Sequence, residues 1–253
     1  MAVGPHRVSH TGSSEAVEDY VKTIYSLSSA RAGADAGAAV GTNDLADRLG
    51  VTAASVSAMC RKLAELGLAD HVPYKGVSLT AEGEQLALEV LRHHRLLELY
   101  LAEHLGVPWD RVHAEADALE HVISADLEAR IDDKLGHPTH DPHGAPIPSA
   151  ELRVGEDRTW SLADLDPGDG GTFARIADGD PEMLRYLDAQ GIRLGDAVQV
   201  TARQPFGGPA TVVIGDVTHT IGGGLAAAMR VQPTGSSVGS GSMTDPDPTL
   251  SRT

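Results

Sequence analysis

The sequence predicts a mainly α protein with a β domain at its C-terminal end. Three observations carry this: a helix, turn, helix, hairpin order between Thr42 and Thr80; a long following helix, apolar on several sides; and, after a proline-rich stretch, a change to short strand-like runs. The division expected is 13–83 as a winged helix-turn-helix, 84–136 as a helical domain, 137–156 as a linker and 157–232 as a small β-barrel, between disordered tails at 1–12 and 233–253. With 253 residues, 41% of them hydrophobic, the chain can fill two or three modest cores, mostly with aliphatic side chains because aromatics are only 4%.

A first helix begins near Ser13 or Ser14, since Val17, Val21, Ile24, Tyr25 and Leu27 recur at helical spacing. Residues 30–41 are small and glycine-rich and read as a loop. Asn43–Leu49 forms a short helix stopped by Gly50, and Ser55–Leu66 a second helix ended by Gly67. Leu68–Val72 and Val77–Thr80 are strand candidates joined by a turn at Pro73–Gly76. Thr80 opens a long helix reaching about His104, whose leucines and valine lie on more than one face, the pattern of a helix buried on several sides. Gly106-Val107-Pro108 breaks it, and helices over Trp109–Val122 and Ser124–Leu135 follow. Pro138, Pro142, Pro146, Pro148 and Gly144 mark the linker. Gly171–Ile176, Ala197–Ala202, Ala210–Ile214 and Ala228–Val231 are the strands of the barrel.

Composition narrows the function. The single cysteine, Cys60, excludes a disulfide framework and a cysteine-rich zinc site. It falls within the second helix of the helix-turn-helix, where a packing role competes with a redox one. No secretory leader opens the chain and no apolar run is long enough to span a bilayer, so cytoplasmic residence without membrane contact is expected. A net charge of −16 argues against nucleic-acid binding and for carboxylates available to a cation.

Against that charge stands the helix-turn-helix, whose second helix would enter a DNA major groove with its N-terminal residues facing base edges. The candidate contacts are Ala54, Ser55, Ser57, Ala58, Arg61 and Lys62, with Tyr74 and Lys75 in the wing. The serines can bond bases or phosphate, and the alanines offer apolar contact to a thymine methyl. The module is not basic overall, so a winged helix used for protein contact is the competing reading.

The stretch Trp109–Ile123 carries the second constellation. At about 100° per residue, His113, Asp117, Glu120 and His121 fall within about 100° of arc, beside an apolar stripe of Val112, Ala116, Leu119 and Ile123. On the long helix before it, His94 and Glu98 are spaced i, i+4 on one face. Either set alone could be a solvated acidic face, but two on adjacent helices favour a bound cation, because unpaired groups at a core edge are costly to desolvate. HExxH, the Glu-x-x-His pattern of di-iron bundles and the GxxxxGK[ST] loop are all absent. His137, His140 and His143 read as a surface loop of incidental composition, with weak metal binding as the alternative.

These residues resemble the diphtheria-toxin-repressor family, most closely its three-domain, manganese-responsive members. The resemblance spans about Glu18 to Val231. It is carried by Asp19-Tyr20-Val21-Lys22-Thr23-Ile24-Tyr25, by His94-Arg95-Leu96-Leu97-Glu98, and by Val112-His113-x-Glu115-Ala116-Asp117-x-Leu119-Glu120-His121. Pro142-x-Gly144-x-Pro146-Ile147-Pro148 and Asp180-Pro181-x-Met183-Leu184-Arg185-Tyr186-Leu187 extend it. The resemblance implies an SH3-like C-terminal barrel and a helical domain that both dimerises and binds metal. It implies a primary metal site at Asp19, Asp117, Glu120 and His121 and an ancillary site at His94, Glu98 and His113. The barrel's usual ligands fall at Arg175, which cannot ligate, and at Asp178. Iron-type members place sulfur ligands where this chain has Asp19 and Asp117, and hard carboxylates suit Mn²⁺. Lys22 stands where some manganese-type members carry a further carboxylate.

The expectation is therefore a homodimeric repressor of a double-stranded DNA operator, with Mn²⁺ or Fe²⁺ as corepressor, no small-molecule substrate and no enzymatic activity. Carboxylates crowded together without metal are expected to hold the first helix loosely against the second domain. A metal-binding helical enzyme or storage protein with an appended β domain is the alternative, which a helix-turn-helix does not serve.

Overall fold

The computed structural model describes residues 14–31, 39–72, 76–155, 157–177 and 179–234. The expected tails thus lie outside the described residues, except that Pro233 belongs to the last strand and Thr234 follows it. The wing residues Tyr74 and Lys75, and Asp178, also lie outside them.

The N-terminal unit is a winged helix. Helix α1 (Glu15–Arg31) packs over α2 (Thr42–Leu49) and α3 (Ala53–Glu65), followed by strands β1 (Ala69–Val72) and β2 (Gly76–Leu79). Gly50, in the left-handed region, ends α2, and Thr52 caps α3 by accepting the N–H of Ser55 at 3.2 Å. The two strands pair antiparallel from Ala69↔Leu79 to Val72↔Gly76, and Val40 adds a bridge to Val77 on the outside. Val17, Tyr20, Val21, Ile24, Leu45, Val56, Leu63 and Val77 form the core, with Cys60 fully buried among them as a packing residue.

Helix α4 (Ala81–Leu105) starts inside this core and leaves it. Thr80 caps it at 3.1 Å from Gly83 N, and Gly83 is a close-approach glycine: a Cβ there would meet Leu68 O at 1.9 Å. Its first turns carry Leu86, Ala87 and Val90 into the winged-helix core, while Leu96 and Leu97 enter a second core with Ala116, Ile131 and Ile147. Helices α5 (Val112–Leu119) and α6 (Ala125–Leu135) pack on that second half. Helix α5 is shorter than expected: Pro108 and the turn at 109–111 delay its start, and it ends at a cap on Glu120, so Glu120 and His121 sit in the turn that follows. Buried Arg92 ties α4 to α6 through Glu128 at 2.6 Å and Asp132 at 2.9 Å, and reaches Pro148 O at 2.8 Å.

The linker reading needs correcting. Asp141, His143, Ala145 and Ile147 are buried, so this stretch is a strap folded onto α4. Proline spacing signals an irregular backbone, which here is packed, not solvated. His137 and His140 are exposed as expected, but His143 is fully buried.

The C-terminal domain is a six-stranded antiparallel sheet in the order β3 (Trp160–Ser161), β8 (Met229–Pro233), β4 (Gly170–Ile176), β5 (Ala197–Arg203), β6 (Ala210–Ile214), β7 (Val217–Ile221). Helix α7 (Pro181–Ala189) follows β4 and the short α8 (Gly223–Ala228) precedes β8. The barrel is not closed: β3 and β7 are the sheet's edges, and β3 is only two residues long. The domain has its own core, including Phe173, Leu184, Leu187, Val200, Val212 and Met229. The sheet docks on the strap, with the Ile176 N–H donating to His143 O at 2.9 Å.

Candidate metal centre

Helices α1, α4 and α5 each present two polar side chains about one turn apart toward a common seam: Asp19 and Lys22, His94 and Glu98, His113 and Asp117. Glu120 and His121 enter from the turn after α5. The structure brings all seven expected ligands of the helical region into one array.

His94 is its hub. Nδ1 lies 2.6 Å from Glu120 Oε2 and 3.3 Å from Asp117 Oδ1, and Nε2 lies 3.0 Å from both His113 Nδ1 and Glu98 Oε1. On the α1 side, His121 Nε2 is 3.1 Å from Asp19 Oδ1 and 3.5 Å from Glu120 Oε1, while its Nδ1 is 2.7 Å from Glu18 Oε2. The Lys22 ammonium donates to Asp117 Oδ1 at 2.9 Å and Glu120 Oε1 at 2.6 Å.

Burial and charge pairing oppose each other across the array, and pairing prevails at His94, His121, Asp117 and Lys22 but not at Asp19. Burial pulls the His94 imidazole down, but Glu120 and Glu98 outweigh it and raise its pKa to about 9. His121 is raised against its burial by Glu18, Glu120 and Asp19. Burial opposes the Asp117 shift too, yet Lys22 prevails and lowers it. Asp19 is raised by burial, over the pull of His121 and Lys22. Lys22 is raised, Glu120 and Asp117 outweighing burial.

Among the described residues, three groups place their ligand atoms within 4.8 Å of one another: His94, His113 and Asp117; Asp19, Glu120 and His121; and Glu98, Asp141 and His143. The third was not anticipated from sequence. Asp141 Oδ1 accepts the N–H groups of His143 and Ala145 at 2.8 and 2.9 Å, which shapes the strap. His143 Nε2 is 2.7 Å from Trp109 O and its ring stacks on Trp109 at 6.1 Å between centroids. The remaining atoms, Glu98 Oε2, Asp141 Oδ2 and His143 Nδ1, are buried without a hydrogen-bond partner. Burial and the Glu98 charge raise Asp141 to about 6, and Glu98 outweighs burial to raise His143 to about 9. Glu98 itself is held well below the usual range by His113, His143 and His94, despite its burial. The histidine-rich stretch was the available signal; nothing in its spacing said which histidine turns inward.

These residues fit a hard or borderline divalent cation. The donors are imidazole nitrogens and carboxylate oxygens with no thiolate, the set that suits manganese and ferrous iron. Of the three buried atoms without a hydrogen bond, two have only distant ionic partners, Asp141 Oδ2 with Arg95 Nε at 3.7 Å and His143 Nδ1 with Glu98 Oε1 at 3.8 Å. A buried polar atom without a hydrogen bond costs about 1–3 kcal/mol, a cost that a bound cation would relieve. Of the expected barrel ligands, Arg175 donates to Asp157 at 3.0 Å instead, and Asp178 lies outside the described residues.

On the candidate DNA face, Ala54, Ser55, Ala58, Arg61 and Lys62 are exposed along one side of α3, opposite the buried Val56, Cys60 and Leu63. Ser57 is half-buried, its hydroxyl donating to Ala53 O at 2.9 Å, and the Ser55 hydroxyl is 2.9 Å from that of Thr52.

A winged helix joined by shared side chains to imidazoles and carboxylates defines a class: DNA-binding regulators that answer to a metal ion. Family models described as iron dependent repressor, N-terminal DNA binding domain; iron dependent repressor, metal binding and dimerisation domain; and FeoA domain match residues 13–77, 80–149 and 160–233. The iron-dependent repressor IdeR of Mycobacterium tuberculosis is 32% identical over 230 residues, covering 86% of this chain and 97% of the relative. The diphtheria toxin repressor of Corynebacterium efficiens is 29% identical over 228 residues, covering 86% and 95%. A solved manganese-dependent transcriptional repressor in complex with manganese is similar with a TM-score of 0.79 at 43% identity, covering 86% of this chain and all of that one (100%). The chain belongs to the diphtheria-toxin-repressor family of iron-dependent repressors.

Proposed function

We propose that this protein is a metal-dependent transcriptional repressor of metal-ion homeostasis and uptake genes, with Mn²⁺ or Fe²⁺ as corepressor and no catalytic role. One observation carries the reading: Asp19, on the first helix of the DNA-binding unit, shares a ligand cluster with Glu120 and His121 of the second unit. The residues that would hold the ion are Asp19, Asp117, Glu120 and His121, with His94, Glu98 and His113, and with Asp141 and His143 added from the strap. When bound, the ion supplies positive charge to a strongly acidic protein and a bond between the two units. The carboxylates and imidazoles fix where α1 sits, and α1 fixes α3.

The protein acts as a homodimer on paired DNA half-sites, because one recognition helix touches too few bases for useful specificity. Leu119, Val122 and Leu127, exposed around the turn between α5 and α6, support a partner-facing surface there. The proposed site of action is the cytoplasm, where the DNA it would read lies. Among the described residues no helix is long and apolar enough to cross a membrane.

The deciding experiment is a gel-shift titration on the promoter of a metal-uptake gene, with and without Mn²⁺. Retardation that requires metal supports the reading. Full-strength binding in chelator overturns the corepressor role.

A further inference from the structure

Lys22 is a cation that the ligand chemistry leaves unexplained. Its side chain is only 16% exposed, and its ammonium bridges Asp117 Oδ1 and Glu120 Oε1. Those carboxylates belong to different ligand groups, Asp117 with His94 and His113, Glu120 with Asp19 and His121. The other Glu120 oxygen is taken by His94 at 2.6 Å, and Glu120 is fully buried, so neither of its oxygens is open to solvent. The expected loosening of α1 by carboxylate repulsion is therefore not what the structure contains. Lys22 and His121 already join α1 to the α5 region, with the ammonium at the seam of the two groups.

We infer that Lys22 sets the metal affinity of this centre: it is a tethered counter-cation between Asp117 and Glu120, and metal loading displaces it. The inference rests on the proposed corepressor reading. An ammonium and a divalent ion compete for the same oxygen lone pairs, so the net gain on loading is the metal–ligand energy less the two ammonium–carboxylate bonds. Lysine suits exchange because its charge rides on a flexible four-carbon stem and is readily rehydrated, unlike the planar fork of arginine. In the metal-free protein it neutralises buried carboxylate that would otherwise repel; in the loaded protein it moves to water. The centre then answers only to cation levels high enough to evict it.

Reductive methylation of the full-length protein, read residue by residue by mass spectrometry, tests this without mutation. Lys22 should label slowly in chelator and approach the rate of exposed Lys62 once Mn²⁺ saturates the protein. A Lys22 rate that stays low or falls in Mn²⁺ makes it a fixed strut and overturns the inference. Equilibrium dialysis adds a second arm: Lys22→Met should bind Mn²⁺ roughly tenfold to a hundredfold tighter than wild type, the worth of a lost charge-assisted bond, whereas Lys22→Arg should not bind tighter. Equal or weaker binding by Lys22→Met also overturns it, and if that variant does not fold without metal, the wild-type labelling decides. Wild-type protein that takes up no Mn²⁺ in dialysis removes the corepressor reading and this inference together; uptake with Lys22 still protected removes only the inference.

Discussion

The N–H of Ile176, last residue of β4, donates to the carbonyl of His143 across 2.9 Å, so the C-terminal sheet is bonded directly to the strap that carries two buried candidate ligands. Beside it Gly144, at φ 82°, lies so close to β4 that a Cβ would meet Ala174 O at 2.0 Å. The strap thus links the sheet to α4 with no slack.

Gly144→Ala should open this seam. Both the left-handed backbone and the clash oppose an alanine, for a cost of about 1–3 kcal/mol. Hydrogen exchange should quicken at Ile176 and across 141–147 while β5 and β6 stay protected. Unchanged exchange at Ile176 would mean that the seam tolerates a side chain.

Glu120→Gln keeps the shape of the side chain and removes its charge. Metal-dependent DNA binding should be lost or fall by about tenfold or more, since charge-assisted contacts are worth about 1.5–3 kcal/mol, while circular dichroism remains that of wild type. Retention of wild-type Mn²⁺ dependence by this variant would remove Glu120 from the ligand set.

Replacing two oxygens with sulfurs, Asp19→Met with Asp117→Cys, should shift preference from Mn²⁺ toward softer ions such as Cd²⁺. Competition dialysis between the two ions measures it. An unaltered ratio would mean that neither position touches the ion.

Lys62→Ala should weaken binding to all DNA sequences alike and reduce the slope of log affinity against log salt by about 1, the signature of one lost phosphate contact. Fluorescence anisotropy over a salt series reads both. If affinity and slope hold, the assigned docking of α3 is wrong.

The winged helix was legible because its signals are local: Gly50 stops α2, Thr52 caps α3, and apolar spacing places Val56, Cys60 and Leu63 inward. The candidate ligand pairs of α4 and α5, His94 with Glu98 and His113 with Asp117, stood out for the same reason, i, i+4 spacing on one face. What escaped depends on distant contact. Asp141 and His143 look like loop residues until Trp109 and Glu98 are packed against them, and strand β7, Val217–Ile221, alternates too briefly to announce itself before pairing with β6. The role of Lys22 was equally hidden, since its partners lie 95 and 98 residues away.

Helix α4 has a consequence for modularity. Its 25 residues, about 37 Å of continuous helix, put Leu86 and Val90 in the winged-helix core and His94 and Glu98 in the candidate ligand array without an intervening loop. Recombination that exchanges the sensor while keeping the reader must cut within a helix, and every residue gained or lost at the junction rotates the downstream face by about 100°. Chimaeras joined between Leu91 and His94 should function only when the splice preserves helical phase, which makes the pairing of reader and sensor in this architecture a matter of angle more than of sequence.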